Sequence, residues 1–169
     1  AEIILITHGH HDHLSPVDVA KIRTATTVLV GPREVADQLA GTRVIAPGQS
    51  LDLGAVKVRA VPAYNPAKRF HPVSAGHVGY LVTVADLTYY HAGDCDEIPE
   101  MADLAPDVAM LPVSGTYVMT AAEAARAARA IKPRVVVPMH YGSIIGSEAD
   151  ARQLARLLDG TGIQVVIKA

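Results

Sequence analysis

The sequence predicts an α/β layered fold built on a mixed sheet with both faces covered. Three observations predict it. Short apolar runs such as Ile3-Ile4-Leu5-Ile6 and Val108 to Leu111 read as buried strands. At both ends of the chain such runs alternate with capped helical patterns. In the middle they give way to alternating runs joined by turn residues, the signature of hairpins. No internal repeat and no linker divides the 169 residues, so a single domain over 1–169 is expected.

Each element follows from local chemistry. Glu2 to Thr7 is a short buried strand. Ser15-Pro16 opens a helix to about Arg23, with Ser15 as N-cap and Pro16 at the first helical position, where its missing N–H costs nothing. Thr27 to Val30 is a second β-branched run, broken by Gly31-Pro32. Arg33 to Leu39 is a helix ended by Gly41, and Arg43 to Ala46 is a third short strand. Val56 to Val61 alternates, with Lys57 and Arg59 on the face opposite Val56, Val58 and Ala60. Residues 62–76, rich in proline and glycine, form a long loop of the kind that often carries function. Val78 to Val84 and Leu87 to His91 make a hairpin about Asp86. A short helix over Ile98 to Ala105 and a strand over Val108 to Leu111 follow. Thr120-Ala121-Ala122-Glu123 is a capping box opening an alanine-rich helix that stops before Pro133. Arg134 to Pro138 is a strand. Ser147 caps a helix through about Leu158, and Ile163 to Ile167 is the last strand.

Composition narrows the function. Half of the residues are apolar, enough for a sizeable core. A formal charge of −2 argues against a generally basic surface, so nucleic acid is not indicated as a partner. No apolar run is long enough to cross a bilayer, and the single cysteine, Cys95, suits a reducing cytosol. A cytoplasmic location is expected. Cys95 has no base beside it in sequence and reads as a packing residue.

The eight histidines carry the main signal. Four fall within residues 8–13, and the others are His71, His77, His91 and His140. A tag or low-complexity tract is the bland alternative, but Gly9 and Asp12 interrupt the cluster, and it sits between a strand and a capped helix. Residues two apart in extended backbone point the same way, so His8 and His10 can share one metal. Where the chain turns toward the helix, Asp12 and His13 point elsewhere and can serve a second. Imidazole and carboxylate suit zinc, with manganese or iron possible. Asp94, in His91-Ala92-Gly93-Asp94, and His140, in Pro138-Met139-His140, each follow a strand end, where ligands collect in α/β sheets.

Thr7-His8-Gly9-His10-His11-Asp12-His13, His91-Ala92-Gly93-Asp94 and Pro138-Met139-His140 together resemble the motifs of the metallo-β-lactamase-fold hydrolase superfamily. Pro62-Ala63-Tyr64-Asn65, Phe70-His71-Pro72 and Gly79-Tyr80 resemble the small branch related to ascorbate-phosphate lactonase. The resemblance implies an αββα sandwich, here without the opening β-rich segment that usually precedes the first motif, and therefore an exposed sheet and a homo-oligomer. It implies that His8 and His10 hold one metal with a third histidine, that Asp12, His13 and His140 hold a second, and that Asp94 bridges them. For the third histidine His71 is chosen over His77. His11 is read as outside the ligand set and His91 as a supporting or core residue. The implied activity is hydrolysis by a metal-bridging hydroxide, with Asp12 and Asp94 as catalytic residues, two divalent ions as cofactor and a phosphoester, phosphodiester or lactone as substrate. Lys68 and Arg69 are candidates for an anionic group of a small ester substrate. Tyr141, with Gly115-Thr116-Tyr117, is a candidate pocket lining. An iron-dependent redox enzyme of the same fold and a non-catalytic metal-binding module are the alternatives.

Overall fold

Ten strands and four α-helices lie in four layers in the computed structural model, which describes residues 1–168. Strands β1 (Ile3–Leu5), β2 (Val28–Gly31) and β3 (Thr42–Val44) form a small parallel sheet. Helices α1 (Pro16–Ile22) and α2 (Arg33–Gln38) return the chain between them. The Ser15 side chain accepts from the Asp18 N–H at 3.2 Å, so the expected cap of α1 is formed.

The second sheet has seven strands. It holds β4 (Ser50–Asp52), β5 (Val56–Pro62), β6 (Val78–Val84), β7 (Leu87–His91), β8 (Val108–Pro112), β9 (Val135–Met139) and β10 (Gln164–Val165), in the order β10-β9-β8-β7-β6-β5-β4. From β4 to β7 the pairing is antiparallel, and from β7 to β10 it is parallel. Helices α3 (Ala121–Ile131) and α4 (Glu148–Leu158) supply the crossovers of the parallel half. Thr120 and Glu123 close the capping box at the start of α3, and Ser147 and Asp150 close one at α4.

Two sheets, rather than one mixed sheet, therefore form the middle of the sandwich. Strand β4 is too short and polar to announce itself in sequence, and it is recruited by pairing with β5. The segment Pro99–Asp103 is a 3₁₀ helix rather than an α-helix.

Three apolar clusters glue the layers. Ile6, Leu14, Val19, Leu29, Val35 and Leu39 join α1 and α2 to the small sheet. Val30, Ile45, Val58, Ala60, Val78 and Tyr80 join the two sheets. Tyr90, Ala109, Leu111 and Val136 pack against the alanine face of α3 (Ala121, Ala124, Ala125, Ala128) and against Leu154 and Leu158 of α4. The small alanine side chains let α3 lie close to the sheet. Tyr80 adds a polar tie: its hydroxyl donates to the Ile6 carbonyl at 2.7 Å, so β6 is fixed to the strand that leads into the histidine cluster.

On β8 and β9, Val108, Met110, Val135 and Val137 face away from α3 and stay half-buried, because the three short strands of the small sheet do not cover them fully. Among the described residues strand β1 pairs only with β2 and lies at the edge of its sheet.

Candidate metal centre

Every group singled out as a metal ligand sits at the same end of the sandwich. His8 to His13 follow β1, His71 lies in the β5–β6 loop, Asp94 follows β7 and His140 follows β9. Three groups place their ligand atoms within 4.8 Å of one another: His8, His10 and His71; His8, His13 and Asp94; and Asp12, His13 and His140. Asp94 lies in the centre. Its Oδ1 is 3.3 Å from His13 Nε2, and its Oδ2 is 3.1 Å from His140 Nε2 and 3.7 Å from His71 Nε2. The carboxylate thus faces both halves of the cluster.

The backbone is shaped for this convergence. His71 and His140 both adopt left-handed conformations, with φ of 59° and 60°. Such φ values are uncommon outside glycine and concentrate at functional sites. A Cβ on Gly79 would stand 2.7 Å from the carbonyl oxygens of His91 and Ala92. Its absence lets β6 press against the end of β7, which aims the Asp94 loop inward.

His8, His71, His77, His91 and His140 each have a hydrogen-bonding partner at a ring nitrogen. Thr7 Oγ1 is 3.0 Å from His8 Nδ1. Ser114 Oγ is 3.1 Å from His140 Nδ1. His71 Nδ1 is 3.0 Å from His77 Nδ1, and His77 Nε2 is 2.9 Å from Glu34 Oε1. The Gly93 N–H donates to His91 Nδ1 at 3.1 Å, so His91 steadies the turn that carries Asp94. Asn65, standing beside Tyr64 in the loop, donates from its backbone N–H to the His71 carbonyl at 2.8 Å and from its side chain to the Tyr117 carbonyl. It holds the left-handed turn at His71 in place.

Burial sets the protonation states. Desolvation lowers His8 to a pKa of about 2 and His71 to about 4. Both are neutral near pH 7, the state in which an imidazole nitrogen binds a metal. The Asp94 carboxyl is held well below the usual range: burial opposes its ionisation, but His13 and His140 outweigh it.

A metal fits these residues on two observations. His8 Nε2 is buried and has no hydrogen-bond partner, a situation that costs about 1–3 kcal/mol unless something satisfies it. The ring points into the cluster, where imidazole nitrogens with the Asp94 carboxylate make a donor set for zinc, iron or manganese.

Two clefts open over the cluster. One, of about 270 Å³, is lined by Asp12, His13, His91, Asp94, His140, Tyr141 and residues of the following loop. The other, of about 290 Å³, has His10, His11, His71, Phe70, Tyr117 and Ile144 in its wall. Tyr141 thus lines the first cleft and Tyr117 the second. His11 is in a cleft wall and in none of the three ligand groups. Lys68 and Arg69 line neither cleft. The Lys68 ammonium instead donates to Asp96 and, at 2.6 Å, to the Val118 carbonyl, pinning the loop to the segment before α3. His77 is buried beside the ligands and outside the three groups. Cys95 is fully buried, and its thiol is pushed up by desolvation, in keeping with a packing role.

Glu34, Thr7, Ser114 and Asn65 were not singled out from sequence. Apart from Thr7, the neighbour of His8, each reaches its partner only through the fold, and a lone acid, hydroxyl or amide carries no motif.

A parallel-and-antiparallel αββα sandwich with a His/Asp cluster at one end defines the class, and comparison with known proteins agrees. The chain belongs to the beta-lactamase superfamily domain family, whose model matches residues 1–140. Within it, the chain belongs with the UPF0173 metal-dependent hydrolases. The Methanopyrus kandleri member is 33% identical over 98% of this chain and 77% of its own length. A crystal structure of a Parabacteroides distasonis protein described as a metal-dependent hydrolase superposes with a TM-score of 0.90 at 37% identity, covering 99% of this chain and 76% of that one. The Bacillus subtilis metallo-β-lactamase-fold protein YhfI shares the fold at a TM-score of 0.72 and 16% identity, over 99% of this chain and 74% of that one.

Proposed function

We propose that the chain is a dinuclear metal-dependent hydrolase of small esters. The observation that carries this reading is the position of Asp94, whose carboxylate lies 3.7 Å from His71 on one side and 3.3 Å and 3.1 Å from His13 and His140 on the other. His8, His10 and His71 would hold one divalent ion, Asp12, His13 and His140 the other, and Asp94 would belong to both. Zinc is the first choice of metal, with manganese or iron as alternatives. A bound pair of such ions supplies an activated water and polarises a carbonyl or phosphoryl oxygen.

The chain's own residues supply the rest. Neutral His8 and His71 leave lone pairs for metal. Ionised and buried, Asp94 provides negative charge at the centre of the cluster. Asp12 lines both clefts with its side chain a quarter exposed, so it faces any substrate held in either. Phe70, Tyr117 and Ile144 form an apolar wall. That lining suits a substrate with an uncharged body attached to the reacting group. A lactone or a phosphodiester with an apolar substituent fits better than an inorganic-phosphate-sized monoester, because Lys68 and Arg69 line neither cleft.

The test is elemental analysis of untagged protein followed by a panel of lactones, phosphodiesters and phosphomonoesters. About two divalent ions per chain and turnover of lactone or diester are expected. Asp94→Ala should lower metal content and abolish hydrolysis, and a fully active variant would remove Asp94 from the site. Iron with a redox-active spectrum and no hydrolysis would instead favour an oxidative enzyme. Metal with no turnover of any ester would favour a binding module.

A further inference from the structure

We infer that Glu34, on α2, is a positioning residue that orients all three imidazoles of one metal site through a single carboxylate oxygen. Glu34 Oε1 has two partners. It accepts from the Gly9 N–H at 2.6 Å, and it lies 2.9 Å from His77 Nε2. The first contact holds the peptide between His8 and His10. The second leads through His77 to His71, because His77 Nδ1 and His71 Nδ1 are 3.0 Å apart.

Donor and acceptor bookkeeping makes the relay directional. A carboxylate only accepts, so His77 Nε2 carries the proton that meets Glu34. A neutral His77 then presents Nδ1 as an acceptor. The hydrogen bond to His71 consequently requires the proton on His71 Nδ1. That leaves the lone pair on His71 Nε2, the nitrogen that faces Asp94. Glu34 thereby selects, two residues away along the relay, the tautomer in which His71 can ligate. A hydrogen bond on the far nitrogen is the usual way a protein orients a ligating histidine.

The Gly9 arm is equally specific. A Cβ on Gly9 would stand 2.3 Å from Gln38 Nε2 and 3.3 Å from Glu34 Cδ. Glycine leaves the space in which the Gln38 and Glu34 side-chain ends reach the peptide. Gln38 adds a second tie, donating from Nε2 to the Gly9 carbonyl at 3.3 Å. One helix, otherwise distant in sequence from every ligand, thus grips both sides of the His8–His10 peptide and the support of His71.

This rests on the metal-site half of the function proposed above, and the experiment separates the two. In full-length metal-free protein, ¹⁵N NMR of the imidazole rings should find His71 protonated at Nδ1 and His77 at Nε2. The opposite tautomers would overturn the inference without any variant having to fold. Zinc affinity of each site is then read by competition with a chromophoric chelator. Glu34→Ala and His77→Ala should each weaken one of the two sites by about 10- to 100-fold and leave the other unchanged. His77→Asn should recover much of the loss, because its amide oxygen can stand where Nδ1 stood and accept from His71. Wild-type zinc affinity in both alanine variants, or equal loss at both sites, would overturn the relay. Failure of the wild-type chain to bind zinc would instead sink the metal-site reading itself.

Discussion

At the scale of the residue, the histidines divide into candidate ligands and their supports by what their second nitrogen touches. His71 directs Nε2 to Asp94 and Nδ1 to His77, whereas His77 directs its two nitrogens to His71 and Glu34. Truncating His71 removes a donor, and truncating His77 removes only its orientation. His71→Ala should therefore weaken one metal more than His77→Ala does, as measured by chelator competition, and the reverse order would reassign the ligand. Burial also gives the metal-free chain a pH dependence with a definite sign. His8 and His71, lowered from 6.5 to about 2 and about 4, refuse in the fold the protons they accept when unfolded. The unfolded state binds more protons below pH 6.5, so stability is full above that value and falls as pH drops toward 4. His140, raised by Asp94, works in the opposite direction, since its contribution is lost as pH rises. His77 and His91 are lowered by burial as well, so four lowered histidines stand against one raised. Melting of chelator-treated protein should occur at a lower temperature at about pH 5.5 than at about pH 7.5, and a flat or reversed profile would contradict the assignment. Residue identity was legible here because the first motif is dense and specific. Glu34 was not, since nothing in Arg33-Glu34-Val35 distinguishes a support from a surface acid.

At the scale of the element, the site depends on strand ends arriving in register. Tyr80 is the clearest link, joining β6 to the Ile6 carbonyl just before the histidine cluster. Its phenol is buried and its pKa is raised by desolvation, so it remains a donor throughout the physiological range. Tyr80→Phe keeps the packing and leaves a buried carbonyl short of its bond. A loss of about 1 kcal/mol is expected in denaturant unfolding, with a shifted midpoint and an unchanged slope. No measurable loss would show that the Ile6 carbonyl finds another donor. Elements whose signals are local were readable beforehand. The caps at Ser15, Thr120 and Ser147 all form, and the hairpin of β6 and β7 pairs from Val84↔Leu87 onward. Strand β4 escaped notice because Ser-Leu-Asp has no strand preference of its own and is held by Val58 and its neighbours on β5. Pro99–Asp103 became 3₁₀ because a five-residue stretch offers too few backbone bonds to sustain an α-helix.

At the scale of the whole molecule, the candidate metal centre sits where α2 and the strand ends of the two sheets meet, and the unpaired His8 Nε2 is a cost the fold carries until something satisfies it. Metal removal should accordingly lower the melting temperature, and added zinc should raise it in proportion to the logarithm of free zinc once sites are filled. A melting temperature indifferent to chelator would argue that the cluster is satisfied without metal. Among the described residues no helix is long and apolar enough to cross a membrane. The order of motifs, the ligand types and the alternation of strands and helices were set by the chain itself, because backbone periodicity and side-chain chemistry act over a few residues. The pairing of β4 with β5, the engagement of Lys68 away from the clefts and the recruitment of Glu34 came from the tertiary structure. Those outcomes depend on which distant groups meet once the layers have packed, and hydrogen-bond direction has meaning only between atoms that have met.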